Sequence, residues 1–216
     1  MEWRGSRGLE ARSHFGASPD ANPPGRLRLS YARGKTEEAY FAAARVHFRL
    51  TGAEVVIADN SVGSAPISVV RYAEQRGREP GGYDKIFCVF DRDCHASFDE
   101  ARNRIRGLAS RKNKPLPIAE IVSIPCFEVW ILLHFQYTDA PFGSCEEVVD
   151  RIRRHHMQDY KKADAAVVKR IMEWLSVAKA NAEKLESAAA LNGYNPYTLV
   201  HRVLGHFETV AAQTNP

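Results

Sequence analysis

The sequence predicts an α/β domain with a mainly parallel sheet flanked by helices and a helical appendage at its C-terminal end. Three observations carry this. Strand-like apolar runs alternate four times with helical periodicity between Leu27 and Phe135, the chain beyond Gly143 shows helical periodicity only, and the run Phe87 to Phe90 ends on Asp91 and Asp93, two carboxylates one residue apart. Residues 1–25 mix Gly, Ser, Pro and Arg without apolar periodicity and are expected to form a flexible leader. The sheet domain is assigned to 26–140 and the helical region packed on it to 141–216.

The elements follow in order. Leu27 to Ala32 is a strand, and Thr36 to Leu50 a helix whose Tyr40, Phe41, Ala44 and Phe48 recur at helical spacing, with Glu37 and Glu38 at its positive end. Glu54 to Ala58 is a strand, Ser64 to Gln75 a helix, and Lys85 to Phe90 the strand that carries the acids. Ser97 with Glu100 forms a capping box that opens a helix over Ser97 to Ala109. Ile118 to Val122 is a strand, and Pro125 to Phe135 a helix apolar nearly all round, hence buried. Helices over Cys145 to His156, Ala163 to Ala190 and Pro196 to Ala211 complete the chain.

Composition limits the function. With 216 residues and 44% hydrophobic content the chain has enough apolar mass for its own core. Cys88, Cys94, Cys126 and Cys145 have no paired spacing and are expected to be reduced thiols of a cytoplasmic protein, with Cys94 and His95 a minor zinc option. Phe127 to Phe135, the longest apolar stretch, is too short to cross a bilayer, so no membrane association is expected. The net charge of +4 permits a polyanionic partner. Between Arg151 and Arg170 seven basic side chains face two acidic ones. That segment, with Arg151, Arg153, Arg154, Lys161 and Lys162, is either a solvated helix face or a phosphate-binding surface for nucleic acid.

In an open parallel sheet the strand-to-helix loops share one edge, where ligands bind. Glu37 after the first strand, Asp91 and Asp93 after the third, and Glu128 after the fourth then become a candidate carboxylate cluster for a hard cation, Mg²⁺ or Mn²⁺. Each acid also has a plain structural role open to it, Glu37 and Glu128 at helix starts and the Asp pair in a turn. His134 is expected to be a hydrogen-bonded core residue. Gly34-Lys35-Thr36 is not a P-loop, because position 29 is Leu where that loop needs Gly; Lys35 can still meet a phosphate as a point charge.

The segment Gly34-Lys35-Thr36-Glu37-Glu38-Ala39-Tyr40-Phe41, the stretch Phe90 to Asp93, the run Ser123 to Trp130 with His134 and Phe135, and Asn195 to His201 together resemble the RloB-like proteins, in order from about Leu27 to Phe207. The resemblance implies a Toprim-type fold, a link to restriction loci and phage defence, and kinship with the overcoming-lysogenization-defect nucleases. It implies Mg²⁺-dependent cleavage of phosphodiester bonds in DNA or RNA, with Asp91 and Asp93 matching the acid pair and Glu37 the second glutamate of a Glu-Gly-x-Thr-Glu loop. The first glutamate is replaced by Arg33. A guanidinium there repels cations and attracts phosphate, so either activity is weakened, or Glu37 or Glu38 takes over in a shifted loop. Two functions are therefore carried forward. One is a metal-dependent nuclease with Glu37, Asp91, Asp93 and Glu128 as catalytic residues, Glu37, Asp91 and Asp93 holding metal and Arg33 and Lys35 on the phosphate; the other is a non-catalytic nucleic-acid-binding or regulatory subunit. A partner ATPase or other defence-system protein is the expected protein partner.

Overall fold

A computed structural model describes residues 27–31, 34–50, 54–55, 65–92 and 96–214. The expected leader, Arg33, Asp93, Cys94 and His95 lie outside the described residues. The elements are β1 (Leu27–Tyr31), α1 (Lys35–His47), β2 (Glu54–Val55), α2 (Pro66–Gly77), β3 (Lys85–Asp91), α3 (Phe98–Ala109), β4 (Ile118–Ile124), α4 (Glu128–Leu132), α5 (Cys145–His155), α6 (Ala165–Ile171), α7 (Leu175–Ala188), β5 (Tyr197–Thr198) and α8 (Val200–Thr214). They build an α/β fold on a five-stranded mixed sheet of order β2-β1-β3-β4-β5. The first four strands are parallel and β5 runs antiparallel to β4.

Both sheet faces are covered, as the near-continuous apolar runs of β3 and β4 require. Ile86, Cys88 and Phe90 of β3 and Ile118, Val122 and Ile124 of β4 meet Val69 and Val70 of α2 and Ala101 and Ile105 of α3. On the other face Phe87, Val89 and Ile121 meet Tyr40 and Phe41 of α1, Val129 to Leu132 of α4, and apolar residues of α5 to α8. One apolar layer thus runs from the first helix to the last.

Five expectations are corrected. The helix expected over Pro125 to Phe135 is regular only at Glu128–Leu132, because both its ends close by tight i to i+3 bonds (Val129 N–H to Cys126 O and Trp130 N–H to Phe127 O at the start, His134 N–H to Ile131 O and Phe135 N–H to Leu132 O at the end). The long helix expected over Ala163 to Ala190 is α6, a 3₁₀ turn over Met172–Trp174, and α7. The bend lets α6 pack on α1 while α7 packs on α4, β5 and α8, which one straight cylinder could not reach. Asp164, whose carboxylate accepts from Ala166 N–H and Val167 N–H, starts α6.

The region beyond Gly143 is not purely helical either, since Tyr197 and Thr198 pair with Ile124 and Ser123 and satisfy the open edge of β4. Ser97 does precede α3, but its hydroxyl makes no capping bond, and Glu100 turns instead to Arg71 at 3.3 Å. Finally, Cys126 and Cys145 are not free thiols. They form a disulfide, their Cα atoms 5.7 Å apart, that ties the β4–α4 turn to the first residue of α5. Sequence spacing hides this pair because their approach depends on how α5 docks against α4.

Candidate functional site

Parallel pairing brings the C-terminal ends of β1, β3 and β4 to one edge of the sheet. Asp91 ends β3 directly beside Ser123 of β4, and Ser123 Oγ lies 3.1 Å from Thr198 Oγ1 of β5. The chain leaves β1 through Gly34, the residue before α1. A Cβ at position 34 would lie 1.6 Å from Glu37 Oε2, so only glycine leaves room for the Glu37 carboxylate to fold back over the helix start.

Glu37 and Glu128 are both buried, at 5% and 3% exposure. Burial pushes the Glu37 carboxyl up to about 7; its own backbone N–H opposes the rise, the neighbouring Glu128 charge adds to it, and Lys162 draws it down. Glu128 Oε1 accepts from Thr36 Oγ1 at 3.2 Å, and its Oε2 faces Lys162 Nζ at 3.4 Å. The same ammonium lies 3.2 Å from Cys145 Sγ, and that sulfur is 3.2 Å from Glu128 Oε2. A disulfide sulfur has no S–H to donate, so the sulfur–carboxylate approach is a packed contact held by the shared ammonium. One lysine thus serves two buried carboxyls, and near neutrality the second keeps its proton for much of the time.

Tyr160 closes the group from the α5–α6 connection. Its phenol is buried and held far above its ordinary range, first by burial and then by the charges of Glu128 and Glu37. Among the described residues its hydroxyl makes no hydrogen bond. Behind the acids, His134 is the hydrogen-bonded core residue expected of it. Its Nδ1 lies 3.0 Å from Trp130 O and its Nε2 3.0 Å from the Tyr40 hydroxyl, while burial holds the imidazole down at about 4. The ring is neutral, Nδ1–H donating to the carbonyl and Nε2 accepting from Tyr40.

Beside the disulfide opens a cleft of about 740 Å³, lined among others by Arg92, Asp99, Pro125, Ser144, Cys145 and Glu146. Arg92 follows Asp91 directly, and its backbone N–H donates to Ser123 O.

The structure therefore brings Glu37 and Glu128 together and sets Asp91 on the same edge. Asp93 and Arg33 are outside the described residues. Glu37, Asp91 and Glu128 do not close into a three-ligand set; among the described residues the group that does is Cys126, Glu128 and Cys145, whose ligand atoms lie within 4.8 Å of one another. Lys35 is exposed at the start of α1. The basic segment divides: Arg151 lies 5.6 Å over the Phe142 ring, Arg153 Nε donates to Tyr160 O, Arg154 pairs with Asp150, Lys161 is exposed, and Lys162 turns to the acids. Sequence reasoning missed Tyr160 and the inward role of Lys162. Their signal was present as Tyr160-Lys161-Lys162, a phenol amid lysines in a short connection, but nothing local ties it to Glu128.

A family model described as RloB-like protein matches residues 32–206. The chain belongs to the RloB-like family. The matched span takes in Glu37, Asp91, Glu128, the disulfide and Lys162, so the site of this RloB-like protein lies wholly inside the family region. Comparison with curated proteins and with solved structures gave no match. Among the described residues of this RloB-like protein, no helix is long and apolar enough to cross a membrane.

Proposed function

We propose that this RloB-like protein is a Toprim-type nuclease of phage defence, dependent on Mg²⁺ or Mn²⁺ and acting on DNA or RNA in the cytoplasm. The observation that carries the reading is the pair of buried carboxyls, Glu37 and Glu128, on the sheet edge where β3 delivers Asp91. Two acids crowded out of water, one pushed up to about 7, are a site that a divalent cation would relieve. Glu37, Asp91 and Asp93 would hold the ion, with Glu128 supporting them, and the bound ion would supply Lewis acidity and an activated water. Arg33 and Lys35 neutralise the phosphate. Glu37, partly protonated near neutrality, would give up that proton when a cation binds.

A second reading, a non-catalytic nucleic-acid-binding or regulatory subunit working with a partner ATPase or another defence-system protein, is favoured by two observations. Glu37 already turns onto its own helix start, and Lys162 already neutralises Glu128.

Cleavage of single- and double-stranded DNA and RNA with Mn²⁺ separates the two. For the nuclease, product vanishes with chelator, and Glu37→Gln and Asp91→Ala each lower the rate by roughly a hundredfold or more. Product that persists in chelator, or an Asp91→Ala variant as fast as wild type, excludes it. Arg33→Glu, which restores an acid in place of a cation-repelling guanidinium, raises the rate roughly a hundredfold on the same scale. A variant that binds metal yet cleaves no faster removes Arg33 from the account.

Nucleic acid would be held through phosphates by the exposed cations of Arg151 to Arg170. Binding then weakens steeply with salt, shows little sequence preference, and drops on Lys161→Ala with Arg154→Ala. A dissociation constant flat across a salt titration excludes this surface.

A further inference from the structure

Among the described residues, those whose ligand atoms lie close enough together to hold one ion are not the acids of the proposed nuclease site but Cys126, Glu128 and Cys145. We infer that this set is a redox-gated site for a borderline-soft divalent cation of the zinc class, closed by the Cys126–Cys145 disulfide and opened by a thiol reductant.

The donors suit such a cation: two sulfurs and one carboxylate, with a fourth position left for water, as in open tetrahedral zinc sites. Cys126 and Glu128 are buried, on the turn into α4 and the first residue of that helix, whereas Cys145 is partly exposed and lines the 740 Å³ cleft. The cleft provides both the entry path and the open position. A tetrahedral cation with metal–sulfur bonds of about 2.3 Å would separate the two sulfurs by about 3.8 Å. Cα atoms 5.7 Å apart allow that by side-chain rotation, without moving α4 or α5.

Lys162 marks where positive charge is already favoured, its ammonium 3.4 Å from Glu128 Oε2 and 3.2 Å from Cys145 Sγ. The lysine side chain is half exposed, so it can withdraw to water when a metal takes its place. Thr36 remains on the other oxygen of Glu128 and orients that carboxylate from behind.

The exchange balances. A dithiol reductant gives two electrons and two protons to the disulfide and becomes a disulfide itself, leaving Cys126 and Cys145 as thiols. The cation then displaces the two thiol protons, both of which pass to solvent, and Glu128 binds through its carboxylate.

The test uses the full chain, oxidised and then reduced with a phosphine, with Co²⁺ as a spectroscopic probe and Zn²⁺ as its competitor. Reduced wild type should bind one more Co²⁺ ion per chain than oxidised wild type, with a thiolate-to-cobalt charge-transfer band, and oxidised wild type should show no such band whatever the acid site binds. Cys126→Ser with Cys145→Ser should abolish the band. Glu128→Gln should keep the band but weaken affinity by roughly ten- to a hundredfold, and Lys162→Met should tighten it. The oxidised and reduced wild type share one sequence, so this comparison stands even where a variant folds poorly. No band on reduction, equal binding in both redox states, or a band that survives the double serine variant overturns the site. None of these readouts involves cleavage, so this inference and the nuclease reading fail separately.

Discussion

Replacing Glu37 by Gln should make the protein more stable at neutral pH, by up to about 3 kcal/mol, and remove a pH dependence that the wild type carries. The unfolded carboxyl loses its proton near 4.5 and the folded one near 7, so between these values the native state retains a proton that the unfolded state has released. Stability then falls as pH rises through that window, by at most about 1.4 kcal/mol per pH unit. His134 acts in the opposite sense. Its folded imidazole, held at about 4 against an ordinary 6.5, contributes stability that is present above 6.5 and lost as pH falls toward 4. The two slopes oppose each other in wild type between about 4.5 and 6.5, and Glu37→Gln removes the falling one. Urea unfolding of both proteins across pH 4.5 to 7 checks this. A difference between them that does not grow with pH would mean that Glu37 ionises freely in the fold.

Phe207→Ala should cost about 3–5 kcal/mol and lower the melting temperature by roughly 10 °C. The Phe207 ring is fully buried on α8, with centroids 6.4 Å from Phe41 and 6.1 Å from Phe48. It shares an apolar cluster with Val89 and Ile121 of the sheet. The expected melt is one transition displaced as a whole. A scan that splits, with only a C-terminal transition moved, would show that the final helices fold as a separate unit.

Periodicity was sufficient for the α/β class, because the alternation of two-residue and 3.6-residue patterns is local and each buried face writes its own spacing. The strands Leu27–Tyr31, Lys85–Asp91 and Ile118–Ile124 were legible from neighbours alone as Leu27 to Ala32, Lys85 to Phe90 and Ile118 to Val122, and Tyr40, Phe41 and Ala44 as a buried helix face. The acid at the end of β3 and a hydrogen-bonded core His134 were legible for the same reason. The sequence also carried the family motifs, since short runs keep their order whatever the packing.

Tertiary structure alone decided the rest, because each remaining feature depends on elements far apart in the chain. Tyr197 and Thr198 have no strand signal of their own; the unpaired edge of β4 makes them a strand. The break at Met172–Trp174 arises from two docking partners that one axis cannot serve. Cys126 meets Cys145 only when α5 lies against α4. Lys162 sits among lysines and arginines of a basic segment, yet its ammonium reaches Glu128, because a buried carboxylate beside a second buried carboxyl draws a counter-charge and the lysine supplies one while its side chain stays half exposed.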